Sequence, residues 1–267
     1  MKNVSYPKLT LRFLLVLFLF VVINSAGIEA SSADDIAIAW KVDKPVNVDG
    51  DLSEWDREDP LFLGREDQVN KHAEYWDGPD DNSGNFYLMW DSDNLYLAAE
   101  IVDDVPFVRF MAYGLDSIDG IAIYLSTNPE AERGRAIYDS TDFRLLFGLD
   151  NDMLDTGIDR SNVLIKKGID TAGVDGYENA IKGCEVAIKE SELGFNLEIK
   201  IPFSSLSNDQ IPVLKPEPGM EVGFNLELYD LDQACPGSVA TGLVWKAGNP
   251  KLSPKDWGLL RFQARSN

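Results

Sequence analysis

The sequence predicts an all-β fold, a jelly-roll-like β-sandwich of two antiparallel sheets, and three observations lead there. Short runs of alternating apolar and polar residues recur along the chain, and none keeps a helical period beyond about ten residues. Turn sequences separate them: Asp91-Ser-Asp-Asn94, Glu190-Ser-Glu-Leu193 and Pro216-Glu-Pro-Gly219. The 267 residues, 45% hydrophobic and 26% charged, have an ordinary globular composition. No repeat or low-complexity linker divides them, so one domain is expected.

Taken in order, the chain opens with Lys2, Lys8 and Arg12, then an apolar run from Phe13 to Ile23, then a stretch of polar and small residues from Asn24 to Ala30. That is the pattern of a signal peptide, residues 1–30, cleaved after Ala30. The run is too short for a comfortable membrane span, which needs about 20 residues. The reading implies an exported protein, secreted, periplasmic or on the cell surface. The domain is then 31–267. Its clearest strands are Asn85–Trp90, Leu95–Val102, Gly120–Leu125, Phe143–Phe147, Cys184–Lys189, Phe195–Ile201, Val222–Asp230 and Trp257–Phe262. Ile36–Trp40, Val46–Val48, Leu61–Leu63, Val163–Lys166 and Leu243–Trp245 are weaker. Pro202-Phe-Ser-Ser-Leu206 reads as one helical turn, and 64–83 and 148–162 as long polar loops.

Strand parity then sorts the side chains onto two faces. Val222, Phe224, Leu226 and Leu228 point one way, Asn225, Glu227 and Tyr229 the other. Phe143, Leu145 and Phe147 oppose Arg144 and Leu146; Ile121, Ile123 and Leu125 oppose Gly120, Ala122 and Tyr124; Phe195, Leu197, Ile199 and Ile201 oppose Asn196, Glu198 and Lys200. One face is core. The other is either a solvated sheet surface or a concave binding face.

Charge and composition exclude several classes. A formal net charge of −21 repels a phosphate backbone, so nucleic acid is not an expected partner. Two cysteines make no disulfide framework and no Cys-rich zinc site. In an exported protein Cys184 and Cys235 are free to form one bridge, but two separate buried thiols fit equally well. The single histidine, His72, lies in a polar loop and reads as a surface residue. Asp49, Asp51, Glu54 and Asp56 offer calcium-type oxygens, as do Asp150, Asn151, Asp152 and Asp155; a polar turn and a solvated loop account for them too. Trp55 and Trp90 read as core aromatics.

Val48-Asp-Gly-Asp-Leu-Ser-Glu-Trp55 resembles the opening motif of family 9 carbohydrate-binding modules and their DOMON-like relatives. Trp90-Asp-Ser-Asp-Asn-Leu-Tyr-Leu97, Val102-Asp-Asp104, Asp119-Gly-Ile-Ala-Ile-Tyr124, Asp142-Phe-Arg144, Glu198-Ile-Lys-Ile-Pro202, Gly223-Phe-Asn-Leu-Glu-Leu-Tyr-Asp230 and Trp257-Gly-Leu-Leu-Arg-Phe262 follow in the family's order. The resemblance spans about 46–262. It implies a β-sandwich that binds sugar chain ends, often with structural calcium, and has no catalysis of its own. Some DOMON-like relatives bind haem through Met, Lys or His; here Met89 lies in an apolar strand and no Cys-x-x-Cys-His occurs, so haem is not expected.

The resemblance carries the family's sugar-contacting Arg onto Arg144, its Gln onto Glu227 and its last-loop Asn onto Asn249. The family's two sugar-stacking tryptophans fall at Asp116 and in the loop 246–256, where Lys251 is the best match, and the family's Glu falls at Ala122. Tyr113 or Trp76 would have to supply a platform from another direction. The expected site is therefore Arg144, Glu227, Asn249 and Tyr113, with Arg144 and Glu227 on an exposed face and Ala122 leaving room beside them. The expected partner is a polysaccharide or glycan end. The alternative is a cell-surface or matrix interaction module of the same fold that has lost the sugar site. Nothing in the sequence points to an oligomer or a stable membrane span.

Overall fold

β-Branched and aromatic residues at alternate positions favour extended backbone with one side against a core. The computed structural model, which describes residues 36–107, 118–149, 155–159, 177–178, 181–233 and 238–265, is built in this way. Its strands are β1 (Ile36–Lys41), β2 (Leu61–Leu63), β3 (Val69–Lys71), β4 (Asn82–Trp90), β5 (Asn94–Asp103), β6 (Gly120–Ser126), β7 (Asp142–Gly148), β8 (Asp155–Asp159), β9 (Tyr177–Glu178), β10 (Glu185–Ser191), β11 (Gly194–Pro202), β12 (Glu221–Asp230), β13 (Thr241–Val244) and β14 (Gly258–Gln263). The described helical segments are short 3-10 turns, among them Phe203–Leu206, where one helical turn was expected.

The strands join in one curled mixed sheet, ordered β10-β11-β5-β4-β1-β14-β12-β6-β7-β8-β9, with β2 on β4, β13 on β12 and β3 on β13. Two separate antiparallel sheets were expected. Hydrogen bonding instead runs continuously, because β1 pairs in parallel with both β4 and β14 and bridges the two wings. The wings share one core. Leu97 and Ile199 from the β4-β5-β11 wing lie in the same buried cluster as Ile123, Leu145 and Leu226 from the β12-β6-β7 wing.

Both outer faces are also covered. On the β4-β5-β11 wing, Leu52, Trp55, Tyr87, Met89, Tyr96 and Ala98 form a second apolar cluster. The motif Val48–Trp55 makes this possible. Its turn delivers the N–H groups of Asp49 (2.9 Å) and Gly50 (2.6 Å) and the indole N–H of Trp55 (2.6 Å) to the fully buried Glu198 carboxylate. Gly50 is required there: its φ is +80° and a Cβ would lie 2.8 Å from Lys189 Cβ. Asp49 accepts from Asp51 N–H, and Asp51 accepts from Ser53 N–H and pairs with Lys189, so these acids build the turn. Trp55 and Trp90 are core aromatics, as expected.

The structure departs from the sequence reading in three strands and one loop. β3 and β8 lie in segments read as polar loops, and β9 was not anticipated; β8 (Asp-Thr-Gly-Ile-Asp) offers one large apolar side chain and so no alternation to detect. Val46–Val48 is irregular because it leads into the Glu198-binding turn. Val163–Lys166, Asp150, Asn151, Asp152 and the whole of 1–30 lie outside the described residues.

Candidate functional site

The outer face of β12, β6 and β7 carries the residues expected to meet a ligand, and it is closed rather than open. Arg144 is 1% and Glu227 0% exposed. Two tyrosines link them. Arg144 Nε donates to Tyr124 Oη (3.2 Å) and its Nη2 to Tyr229 Oη (3.0 Å), and both hydroxyls donate onward to Glu227 Oε2 (2.6 and 2.5 Å). Arg144 Nη1 also pairs with Asp159 on β8 at 2.8 Å. From the opposite side β3 delivers Asn70, whose amide donates to Glu227 Oε1 (2.9 Å), and Lys71, whose Nζ lies 3.4 Å from that oxygen and 4.2 Å from the Tyr229 ring centroid.

The charges balance within this network. Burial works to raise the Glu227 pKa, but the positive charges of Lys71 and Arg144 and the tyrosine hydrogen bonds overcome it and hold the carboxyl below its usual value. Burial, followed by the neighbouring carboxylate, pushes the Tyr229 hydroxyl well above its ordinary range, so it stays a donor. Ala122 does not leave room: it packs with Tyr124, Tyr138, Leu146, Tyr229 and Trp257. Trp257 lies 5.7 Å from Tyr124, and Trp257 and Tyr138 both donate to the Pro250 carbonyl, which fixes the last loop against the network.

Solvent reaches the network at one edge. The Lys71 side chain is 26% and that of Asp159 10% exposed, and Asn70 Oδ1 is buried with no hydrogen-bond partner. Asn249 lies exposed in the last loop, where its carbonyl oxygen accepts from Leu252 N–H and its own N–H donates to Asp256. Tyr113 and Asp116 lie outside the described residues. Trp76 is partly buried against the main core, its indole donating to the Asn82 carbonyl, and so is an anchor rather than a free platform. His72 is at the surface, as expected.

A second site, absent from the sequence reading, lies at one end of the two wings. Asp103 ends β5, Asp119 precedes β6 and Asp230 ends β12; their carboxylate oxygens lie within 4.8 Å of one another, and all three residues are buried. Asp81, Asp104 and Asp232 form an adjacent triad with the same spacing. Asn82, opposite Asp103 in the β4–β5 register, is 1% exposed with neither amide atom partnered, and Asp230 Oδ1 and Asp232 Oδ1 are also buried without partners. Burial first, then Asp232, raises Asp103 to about 7; burial, then Asp232 and Asp103, raises Asp230 to about 8. Carboxylates and a carboxamide gathered in this way are oxygen donors of the kind that suit a hard divalent cation. The motifs Val102-Asp-Asp104 and Tyr229-Asp230-Leu-Asp232 held the signal, but only strand register brings them together.

One curled mixed sheet with no helix beyond 3-10 turns among the described residues defines the class: an all-β domain. A family model, carbohydrate family 9 binding domain-like, matches residues 59–264. The chain belongs to that family. It is similar in fold to a family 9 carbohydrate-binding module from Caldicellulosiruptor kristjanssonii solved with glucose: 19% identity, 87% of this chain and 97% of that one covered, TM-score 0.57. A family 9 carbohydrate-binding module from the same organism solved with cellotriose gives 20% identity, coverage of 86% and 96%, and a TM-score of 0.56. No curated protein matches the sequence.

Proposed function

We propose that this protein is an exported, non-catalytic module that binds a glycan end at the open edge of the Arg144–Glu227 network. The observation that carries it is the edge itself: beside the buried network of a family 9 member, the Lys71 side chain is 26% exposed, with its ammonium 3.4 Å from Glu227. Such a donor suits sugar hydroxyls. Arg144 and Glu227 act from behind, fixing the tyrosines and β3. A glycosidase needs a protonated acid beside a second carboxylate; Glu227 and Asp159 both serve as charged acceptors here. Glucose and cellotriose, found with the structural relatives, are the first probes to use. The basic and apolar pattern of residues 1–30 supports export, and no helix among the described residues is long and apolar enough to cross a membrane.

We also propose that the acidic end holds calcium as a structural ion, with the buried carboxylates of Asp103, Asp119 and Asp230 and the side-chain amide oxygen of Asn82 as its candidate ligands. Isothermal titration of the mature domain with cellotriose tests the sugar reading. Lys71→Ala is expected to remove binding while circular dichroism stays native. Binding that survives Lys71→Ala moves the site elsewhere, and no binding across a glycan array favours the interaction-module reading, which the burial of Arg144 and Glu227 also supports.

A further inference from the structure

The sheet ends on β10, and the outer edge of that strand has no partner strand among the described residues. The hairpin decides which backbone groups face out. Ser191 and Gly194 close a two-residue turn onto β11, so Ser191, Lys189, Ala187 and Glu185 bond inward. The far side of β11 agrees: the Leu193 carbonyl, one residue out of step with Gly194, accepts from Asp103 N–H at 3.1 Å. Val186, Ile188 and Glu190 therefore aim their N–H and C=O groups away from the sheet, and none of these groups is bonded among the described residues. Glu185, Lys189 and Glu190 are exposed, and Val186, Ala187 and Ile188 are half-buried.

Such an edge is a template for another strand, and its charges say which strand fits. Set antiparallel to a copy of itself about Ala187, β10 matches in phase. Val186 then faces Ile188 of the partner subunit, and Ile188 faces the partner's Val186, so the outward groups of both strands meet. In the same register Lys189 faces Glu185 of the partner subunit, and Glu185 faces the partner's Lys189. Ala187 meets Ala187 of the partner subunit at the close, non-hydrogen-bonded position, where Cα atoms approach to about 4.5 Å and a methyl group fits. Neighbouring registers in phase lose the charge match: centring on Ile188 sets Lys189 against Ala187, and centring on Lys189 sets two ammonium groups together.

We infer that β10 joins β10 of a second copy of this chain, antiparallel and centred on Ala187, in a two-fold symmetric dimer. A two-fold contact has to be self-complementary, and Glu185-Val-Ala-Ile-Lys189 is so in charge and in hydrogen-bond phase. Lys189 pairs with Asp51 and Glu185 with Lys200 on the same face, so the contacts across the dimer extend a ladder of alternating charge. The strand has seven residues, which makes the contact small and the dimer reversible. The formal net charge of −21 opposes association, and physiological salt, with a screening length of about 8 Å, removes most of that long-range repulsion. The inference is independent of the glycan reading.

Sedimentation of the mature protein in physiological salt, over a concentration series, is expected to show a monomer–dimer equilibrium. Lys189→Glu turns two opposite-charge contacts into two like-charge contacts and is expected to weaken the dimer about tenfold. Ala187→Cys places two thiols at the axis, at a separation of about 4.5 Å that a disulfide can span. Mild oxidation of Ala187→Cys is expected to give a covalent dimer on a non-reducing gel, at a yield well above wild type and above Leu193→Cys, whose thiol is exposed but outside the register. A monomer at every concentration overturns the inference. So does Lys189→Glu dimerising as wild type does, and so does equal cross-linking through Leu193→Cys, which reports random collision. Circular dichroism checks that each variant is folded; if one of Lys189→Glu and Ala187→Cys is not, the other decides.

Discussion

The Arg144–Glu227 network and the acidic end at Asp103 and Asp230 are comparable in burial and opposite in electrostatics. In the network each charge has a counter-charge or a hydroxyl within hydrogen-bond reach, and Glu227 is held below its usual pKa. At the acidic end like charges face each other, buried oxygens go unpartnered, and two carboxyls are raised to about 7 and about 8. The network balances its own charges; the acidic end does so only if a cation joins it, as proposed above. Burial therefore does not fix the role of an acid, since its neighbours decide whether it is a structural acceptor or a ligand.

The sharpest way to break the comparison is Arg144→Ala. It leaves Asp159 and Glu227 without their guanidinium, and breaking a buried pair this way costs about 3–5 kcal/mol. Thermal unfolding should show the melting temperature falling by roughly 10 °C, at about 2–4 °C per kcal/mol for a domain of this size. A change within about 2 °C would mean the network contributes little to the fold.

Next comes the ion. Calcium at a hundredfold excess over its dissociation constant stabilises by about 2.7 kcal/mol per site. Calorimetry with calcium against EDTA should therefore separate the melting temperatures by several degrees. Identical curves would remove the cation from the acidic end.

A pH series in EDTA sharpens the contrast. Asp103 and Asp230 have folded pKa values above the ordinary carboxylate value near 3.8, so the metal-free native state binds more protons than the unfolded chain. Stability from these groups is present at low pH and lost as pH rises from about 4 through about 8. The metal-free melting temperature should fall across that window, and calcium should flatten the fall. A metal-free melting temperature that rises across the same window would show that the two acids are not crowded in solution.

The smallest effect belongs to a charge pair in water. Arg57 pairs with Glu100 at 2.6 Å, with the arginine side chain 51% exposed. Arg57→Ala should cost about 0–1 kcal/mol in a denaturation titration. A larger loss would mean that exposure is a poor guide to the worth of charges in this protein.

Local sequence determined the all-β class, because alternation along β5, β11 and β12 needs no knowledge of neighbours. It also determined which side chains share a face: Phe224, Leu226 and Leu228 reached the main core, and Glu227 and Tyr229 the other side, as parity requires. The family was legible for a related reason, since its motifs are the turns and strand ends that the fold reuses. Tertiary structure alone decided that the polar face is covered, because Trp257, Tyr138 and β3 arrive there from distant parts of the chain. It alone assembled the acidic end. Asp103, Asp119 and Asp230 are separated by long stretches of sequence and meet only because strand pairing aligns β4, β5, β6 and β12 at one end. A face is set by residues two apart; a site is set by whatever the pairing of strands brings within reach.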